Sequence, residues 1–334
     1  MPQGAQNRIL SEMIESSLAL ARECGTQKPA MQQPSSADFW AAARAKPDFL
    51  SHQKEVTTRF RYISRAGLPT VRMEESKADL VSASQYRIGV HELCEPDYRQ
   101  ILILAKELAM EPEKVIRKCQ INFSNGRITT LSFSFVQQLP STLPSTLSEL
   151  LCLETLNFVC CDDCGAELEL ADLPALKSFM YYGYPGMEQP LTSLRLSNLP
   201  KLERLWCECG ELKDIGLFKL PELRTLICRW TQFLTKLDLS VYPLLTVLSC
   251  EGNELTGLDL SKVPHLEYLE CHSNKITHLD LANTPKLKKL YCHGNNLSVL
   301  DVRPIINLEY LYYDIDKTRL IQRPDQKFQV SYNE

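Results

Sequence analysis

No stretch of the 334-residue chain approaches the roughly 18 consecutive apolar residues of a membrane-spanning helix. ILILA at 101–105 is far too short. The first 25 residues also lack the uncharged core of a secretion signal, because Glu12, Glu15 and Glu23 interrupt their apolar positions. Cytoplasmic synthesis and at least initial cytoplasmic residence are therefore expected, with any export following a route that needs no signal peptide. Glycine is scarce: 13 residues in all, none grouped into a loop that could cradle a phosphate. No Ser-His-Asp arrangement is visible, so the sequence offers no catalytic residue and calls for no cofactor. Excess charge is small as well. A formal net charge of −4 divides into a slight positive balance up to residue 120 and an acidic remainder. Because phosphate neutralisation supplies most nucleic-acid affinity, an acidic chain of this kind is a poor candidate for that ligand.

Cysteine is abundant, at 13 residues, but does not read as a disulfide framework. The total is odd and no secretion signal precedes it, which agrees with reduced thiols. Cys207, Cys228, Cys250, Cys271 and Cys292 recur at one place in successive segments, where a free thiol serves as a small hydrophobe. One C-x-x-C pair, Cys161 and Cys164, lies in the run CCDDC, and Cys207-Glu208-Cys209 follows later. A single pair does not complete a tetrahedral thiolate site, so no metal is expected there.

The dominant feature is a repeat. Leu245, Leu266 and Leu287 open segments 21 residues apart, and the same offset carries Leu248, Leu269 and Leu290, then Cys250, Cys271 and Cys292, then Asn253, Asn274 and Asn295. A fixed period of this length marks a solenoid, in which no unit can bury its apolar side without a neighbour. Cores of this kind open at Ile128, Leu153, Leu176, Leu202, Leu223, Leu245, Leu266, Leu287 and Leu308, predicting about nine coils across 121–313. The first three intervals are stretched, and LPSTLPSTLSEL (139–150) and YYGYPGMEQP (181–190) read as irregular connections.

Each coil is expected to contribute one short strand, L-x-x-L-x-C, with Leu and Cys inward. L-D-L at 237, 258 and 279 turns the opposite wall, and Pro243, Pro264 and Pro285 stiffen the return. The Asn side chains are placed to satisfy backbone groups of the turn after the strand.

This pattern, L-x-x-L-x-C-x-x-N-x-L with L-D-L-S and a proline in each row, resembles the leucine-rich repeat, most closely its short 21-residue bacterial form. The resemblance implies an α/β solenoid with a short-strand parallel sheet, preceded by an α-helical N-terminal region. It also implies a binding role, as a non-enzymatic protein-binding scaffold, and raises the possibility of a bacterial effector acting on host proteins. Some bacterial relatives place a ubiquitin-ligase domain with a catalytic cysteine behind such repeats. An effector-type enzyme of that kind is the leading alternative function, although this sequence departs from the pattern, with only about twenty residues after its last coil.

Outside the repeats, residues 7–23 read as an amphipathic helix and 25–37 as a linker, making 1–37 a separate N-terminal segment. Residues 38–66 look helical and carry a basic run that includes Arg44, Lys46, Lys54, Arg59, Arg61 and Arg65. From Pro96 two helices are predicted, broken at Glu111-Pro112. Their spacing matches a helix-turn-helix, which keeps a nucleic-acid regulator as an alternative function. Lys114, Arg117 and Lys118 are nevertheless offset by Glu111 and Glu113, so capping the solenoid is the expected task of 38–120. Residues 314–334 lose the leucine spacing and are expected to close the last coil.

The outward strand positions are the candidate site. Arg204, Trp206, Ile227, Arg229, Tyr268, Glu270, His272, Lys289, Tyr291, His293, Tyr310 and Tyr312 mix aromatics with charges, the composition of an interface on a concave sheet. His272 and His293, one coil apart, could approach a metal together, but Glu251 and Asp314 at the flanking places make an ordinary polar rim the preferred reading. A protein partner is expected, and neither nucleic acid nor a membrane span.

Overall fold

A computed structural model describes residues 86–134, 147–159, 167–183, 191–231 and 233–331. The helices expected within 7–66, the linker, most of the two irregular connections and the Cys161–Cys164 pair lie outside these residues.

The described chain begins with a two-residue hairpin, β1 (Arg87–Ile88) and β2 (His91–Glu92), followed by helices α1 (Glu95–Glu107) and α2 (Pro112–Lys118). Each helix has proline in its first turn, where the missing N–H costs nothing. Ile101, Leu104, Val115 and Ile116 turn from both helices into the same apolar core that runs through the repeats. A buried carboxylate fixes the junction: Asp97 of α1 accepts hydrogen bonds from Ile128 N and, at 3.1 Å, from Arg127 Nε. Within the described residues, then, the two helices share the apolar core of the first coil and are tied to it through Asp97.

Next comes β3 (Asn122–Ser124), which pairs antiparallel with β4 (Arg127–Ser134). From β4 the long sheet continues through β5 (Thr155–Val159), β7 (Ser178–Tyr182), β9 (Arg204–Glu208), β11 (Thr225–Arg229), β12 (Val247–Ser249), β13 (Tyr268–Glu270), β14 (Lys289–Tyr291) and β16 (Tyr310–Tyr312), and ends at β18 (Gln329–Ser331). Every neighbouring pair except β3–β4 is parallel, as one-way coiling requires. The chain is a leucine-rich-repeat solenoid.

The opposite wall changes along the molecule. The earlier coils add a back sheet in which β8 (Ser193–Ser197) lies between β6 (Glu167–Ala171) and β10 (Asp214–Phe218). In the regular coils the L-D-L segment replaces it, and its aspartate makes the turn. Asp238, Asp259, Asp280 and Asp301 each accept a hydrogen bond from the backbone N–H two residues on, at 2.8–3.0 Å. A late pair, β15 (Val299–Asp301) with β17 (Arg319–Ile321), restores a back strand near the C-terminus.

Inside, the register stacks like on like. Leu248, Leu269, Leu290 and Leu311 are directly paired and fully buried, each contributing about 1.5–3 kcal/mol once covered by its neighbour. Toward the N-terminus the cysteine track continues as an aromatic one. Phe133 pairs with Phe158, Phe158 with Tyr181, and Tyr181 with Cys207, which pairs with Cys228. Wide early coils thus fill this column with rings, and the shorter ones with thiols.

The asparagines hold adjacent coils together. Asn274 Nδ2 donates to Cys250 O at 2.9 Å and Cys271 O at 3.1 Å, while its Oδ1 accepts from Leu255 N at 3.0 Å. Asn253 and Asn295 repeat the clasp on their own neighbours.

Residues 314–331 add to the last coil: β18 continues the sheet in parallel, with Val330 opposite Leu311. The interval to Leu311 is 19 residues, which hides this rung from a search for a 21-residue period.

Candidate functional site

Alternation along each short strand puts three tracks on the outward face of the long sheet. The first runs through Arg204, Thr225, Val247, Tyr268, Lys289 and Tyr310, the second through Trp206, Ile227, Ser249, Glu270, Tyr291 and Tyr312. Two residues further on, the third comprises Glu208, Arg229, Glu251, His272, His293 and Asp314.

All twelve candidate residues lie on these tracks, yet they are not equally available. Arg204 is exposed, and Arg229, Glu270, His272, Lys289, Tyr291, His293, Tyr310 and Tyr312 are half-buried. Trp206, Ile227 and Tyr268 are buried, with Trp206 and Tyr268 each 8% exposed. Their expected part as freely presented side chains is corrected accordingly: neighbours on the same face cover them. The Arg229 guanidinium, for instance, lies 4.8 Å above the Trp206 ring, a cation–π contact that shields the indole.

Toward the C-terminal coils the aromatics pack in two series. Tyr268 meets Tyr291 at 5.6 Å between ring centroids, and Tyr291 meets Tyr310 at 5.0 Å. Alongside them His272 stacks on His293 at 4.3 Å and His293 on Tyr312 at 3.8 Å, with planes within 18°. Stacking has a chemical consequence for the histidine pair. Imidazole lone pairs lie in the ring plane, so two parallel rings one above the other cannot aim nitrogens at a common ion.

His272 instead turns toward carboxylates. Its Nε2 lies 2.8 Å from Glu251 Oε2 and 3.4 Å from Glu270 Oε1. Glu251 Oε1 accepts from Trp230 Nε1 at 2.9 Å and faces Arg229 at 3.5 Å, and Arg229 Nε donates to Glu208 at 3.1 Å. Glu270 Oε2 accepts from Ser249 Oγ at 3.1 Å and Tyr268 Oη at 3.3 Å. Glu208, Arg229, Glu251, His272 and Glu270 therefore form one continuous charged network in the middle of the face.

Ionisation follows from this packing. Burial would depress the His272 imidazole, but the two glutamates outweigh it and raise its pKa to about 9. Burial and the charge of Glu270 push Glu251 up. Burial acts in the same direction on Glu270, which His272 and Arg229 nevertheless hold below the usual carboxylate range. Burial, with the neighbouring His272, lowers His293 to about 4. For Arg229, burial is overcome by the charges of Glu208, Glu251 and Glu270, which hold it above its ordinary value.

Sequence reasoning named Glu270 as an outward residue and placed Glu251 beside the two histidines, but did not join them with Arg229 and Glu208 in one network. A usable signal existed: Glu270 and His272 are two apart on one strand and so share a face, while Glu251 stands 21 residues before His272. A second unrecognised feature is the turn that follows the third track. Trp230, Gly252, Ser273 and Gly294 all have positive φ, between 53° and 65°. One left-handed residue per coil is a geometric constant there without a constant residue type.

No protein-family model matches the chain, and no curated protein does either. Among solved structures, similarity extends to the functional domain of InlJ from Listeria monocytogenes, which includes a cysteine ladder. It is 22% identical, with a TM-score of 0.41, over 65% of this chain and 50% of that one. InlP from the same organism is 20% identical, with a TM-score of 0.40, over 67% of this chain and 68% of that one. A leucine-rich-repeat protein of Leptospira interrogans is also 20% identical, with a TM-score of 0.36, over 63% of this chain and 59% of that one. The chain spans half the length of the InlJ structure. At this distance the fold assignment rests on the strand register of the chain itself.

Proposed function

We propose that this chain is a non-enzymatic protein-binding scaffold of the short 21-residue bacterial leucine-rich-repeat type, docking its partner on the outward, concave face of the long sheet. The single observation that carries this reading is the half-buried cluster of Lys289, Tyr291, His293, Tyr310 and Tyr312 on paired strands. Rings held by their neighbours lose little rotamer freedom when a partner covers them, so more of the contact energy survives as affinity. Beneath and beside them the charged network sets the polar side of the contact and selects against partners whose charges do not match. The partner is a protein. Excess acidic charge in the repeats, and the exposure of only Lys114 and Arg117 in the basic group of α2, argue against nucleic acid.

Residence in the cytoplasm, with export by a signal-independent route for an effector acting on host proteins, is part of the same proposal. It rests on the resemblance. Among the described residues no helix is long and apolar enough to cross a membrane.

The test is affinity capture followed by mass spectrometry, comparing the unaltered chain with Tyr291→Ala/Tyr312→Ala. A protein retained by the first and lost by the second, with unchanged thermal unfolding, supports docking on this face. Identical captured sets would sink it.

A further inference from the structure

We propose that Glu251, Glu270 and His272 form a binding site for a divalent transition-metal cation of the Zn2+ class on the outward face of the long sheet. One ligand atom from each, Glu251 Oε2, Glu270 Oε1 and His272 Nε2, lies within 4.8 Å of the other two. The nitrogen sits 2.8 and 3.4 Å from the two oxygens. Nitrogen and oxygen ligands of one Zn2+, each at about 2.0–2.2 Å in tetrahedral directions, stand roughly 3–3.5 Å apart. The two distances from the nitrogen are close to this spacing, and the two oxygens lie within 4.8 Å of each other.

What surrounds them is equally specific. On each side chain the remaining polar atom is engaged: Glu251 Oε1 by Trp230 Nε1, Glu270 Oε2 by Ser249 Oγ and Tyr268 Oη, and His272 Nδ1 by Ser273 Oγ at 3.1 Å. Holding Nδ1 on a hydroxyl orients the ring and directs Nε2 at the carboxylates, the arrangement that outer partners impose on metal-bound histidine. The outer atoms are tied down and the inner ones converge.

An independent observation concerns Glu251, whose residue is 3% exposed. Its Oε2 makes no hydrogen bond, although Nε2 lies only 2.8 Å away. A cation held between the two atoms would give this buried oxygen a partner. Charge points the same way. With a neutral imidazole, Glu208, Glu251 and Glu270 face Arg229 as their common guanidinium, an excess of negative charge that a divalent cation neutralises.

One imidazole with two carboxylates is a donor set for Zn2+ or a similar first-row ion rather than for Ca2+ or Mg2+. Three protein ligands leave a fourth position open, and it faces solvent on the side where Glu270 and His272 are 14% and 13% exposed. This site does not depend on the docking proposal.

The test is calorimetric titration of the chelator-treated full chain with ZnCl2, repeated with Co2+ to record its visible absorption. Expected is one site whose affinity falls at least tenfold in Glu270→Gln and in His272→Gln. Ser273→Ala, which releases the outer hold on the imidazole, should weaken it by about 10–100-fold. Far-UV circular dichroism confirms that each variant is folded, and Asp314→Asn, outside the triad, should bind as the unaltered chain does. Absence of any heat above dilution with the unaltered chain overturns the proposal. So does binding by Glu270→Gln and His272→Gln equal to that of the unaltered chain, which would place the ion elsewhere on the protein.

Discussion

The indole of Trp230 lies flat against the α-carbon of Gly252, so closely that a β-carbon there would overlap Cε3 and Cδ2 of the ring. Gly252 also has φ +65°, a conformation that side chains resist. Gly252→Ala therefore meets two penalties, and Trp230 must move, loosening its hydrogen bond to Glu251. A loss of about 1–3 kcal/mol is expected from the strained backbone alone. Urea unfolding followed by tryptophan fluorescence would measure it. Unchanged stability would mean that the ring is not seated there.

The asparagine clasps are expected to outrank surface groups. Asn274→Ala leaves Leu255 N and the carbonyls of Cys250 and Cys271 short of a partner, at about 1–3 kcal/mol for each buried group left unsatisfied. Asn296→Ala, at an exposed side chain in the next coil, should stay within about 0.5 kcal/mol of the unaltered chain. Chemical denaturation of the two variants side by side decides between them.

The two stacked histidines should respond to pH in opposite ways. His293, lowered to about 4, is kept neutral by the fold. Its contribution is present above the unfolded value near 6.5 and is lost as pH falls from there through 4. His272, raised to about 9, behaves in reverse: its contribution is complete below 6.5 and is lost as pH rises through 9. Melting temperatures of chelator-treated protein across this range should fall less steeply on the acid side in His293→Gln and less steeply on the alkaline side in His272→Gln. Parallel profiles for both variants would contradict the assigned shifts.

Cysteine reactivity should divide by burial. Burial pushes the thiols of Cys119, Cys228 and Cys271 up to about 12, so almost no thiolate forms at neutral pH. Cys94 is exposed. Iodoacetamide at pH 8, with peptide mapping, should label Cys94 in the native protein and reach Cys228 and Cys271 only after denaturant is added. Early labelling of Cys271 would show that its coil opens readily.

The regular coils were legible because several residue types recur in phase at 245–295, and the register of Leu248, Leu269 and Leu290 is the one their spacing predicts. The two helices after Pro96 were legible too, since proline marks both starts. The last rung was not: Val330 pairs with Leu311 at a shortened interval and without a leucine. Nor was the column of Phe133, Phe158 and Tyr181 read as the forerunner of the cysteines, because a change of residue type follows the width of the coil. The candidate face was located by alternation alone. Alternation says which way a side chain points, not whether its neighbours cover it, and so Trp206, Ile227 and Tyr268 were taken for open surface. The network around Arg229 was hidden for the same reason: charges at outward positions read as solvated until the coils are stacked.

Because each amide grasps only the coil beside it, the solenoid is modular in a strict sense. A whole 21-residue unit inserted between Leu266 and Leu287 would find both of its neighbours ready-made, whereas half a unit would leave one clasp closing on nothing. The outward sheet face is thus free to lengthen or shorten in quanta of one coil, with the clasps at the join re-formed on the new unit and the contacts of more distant coils left as they are.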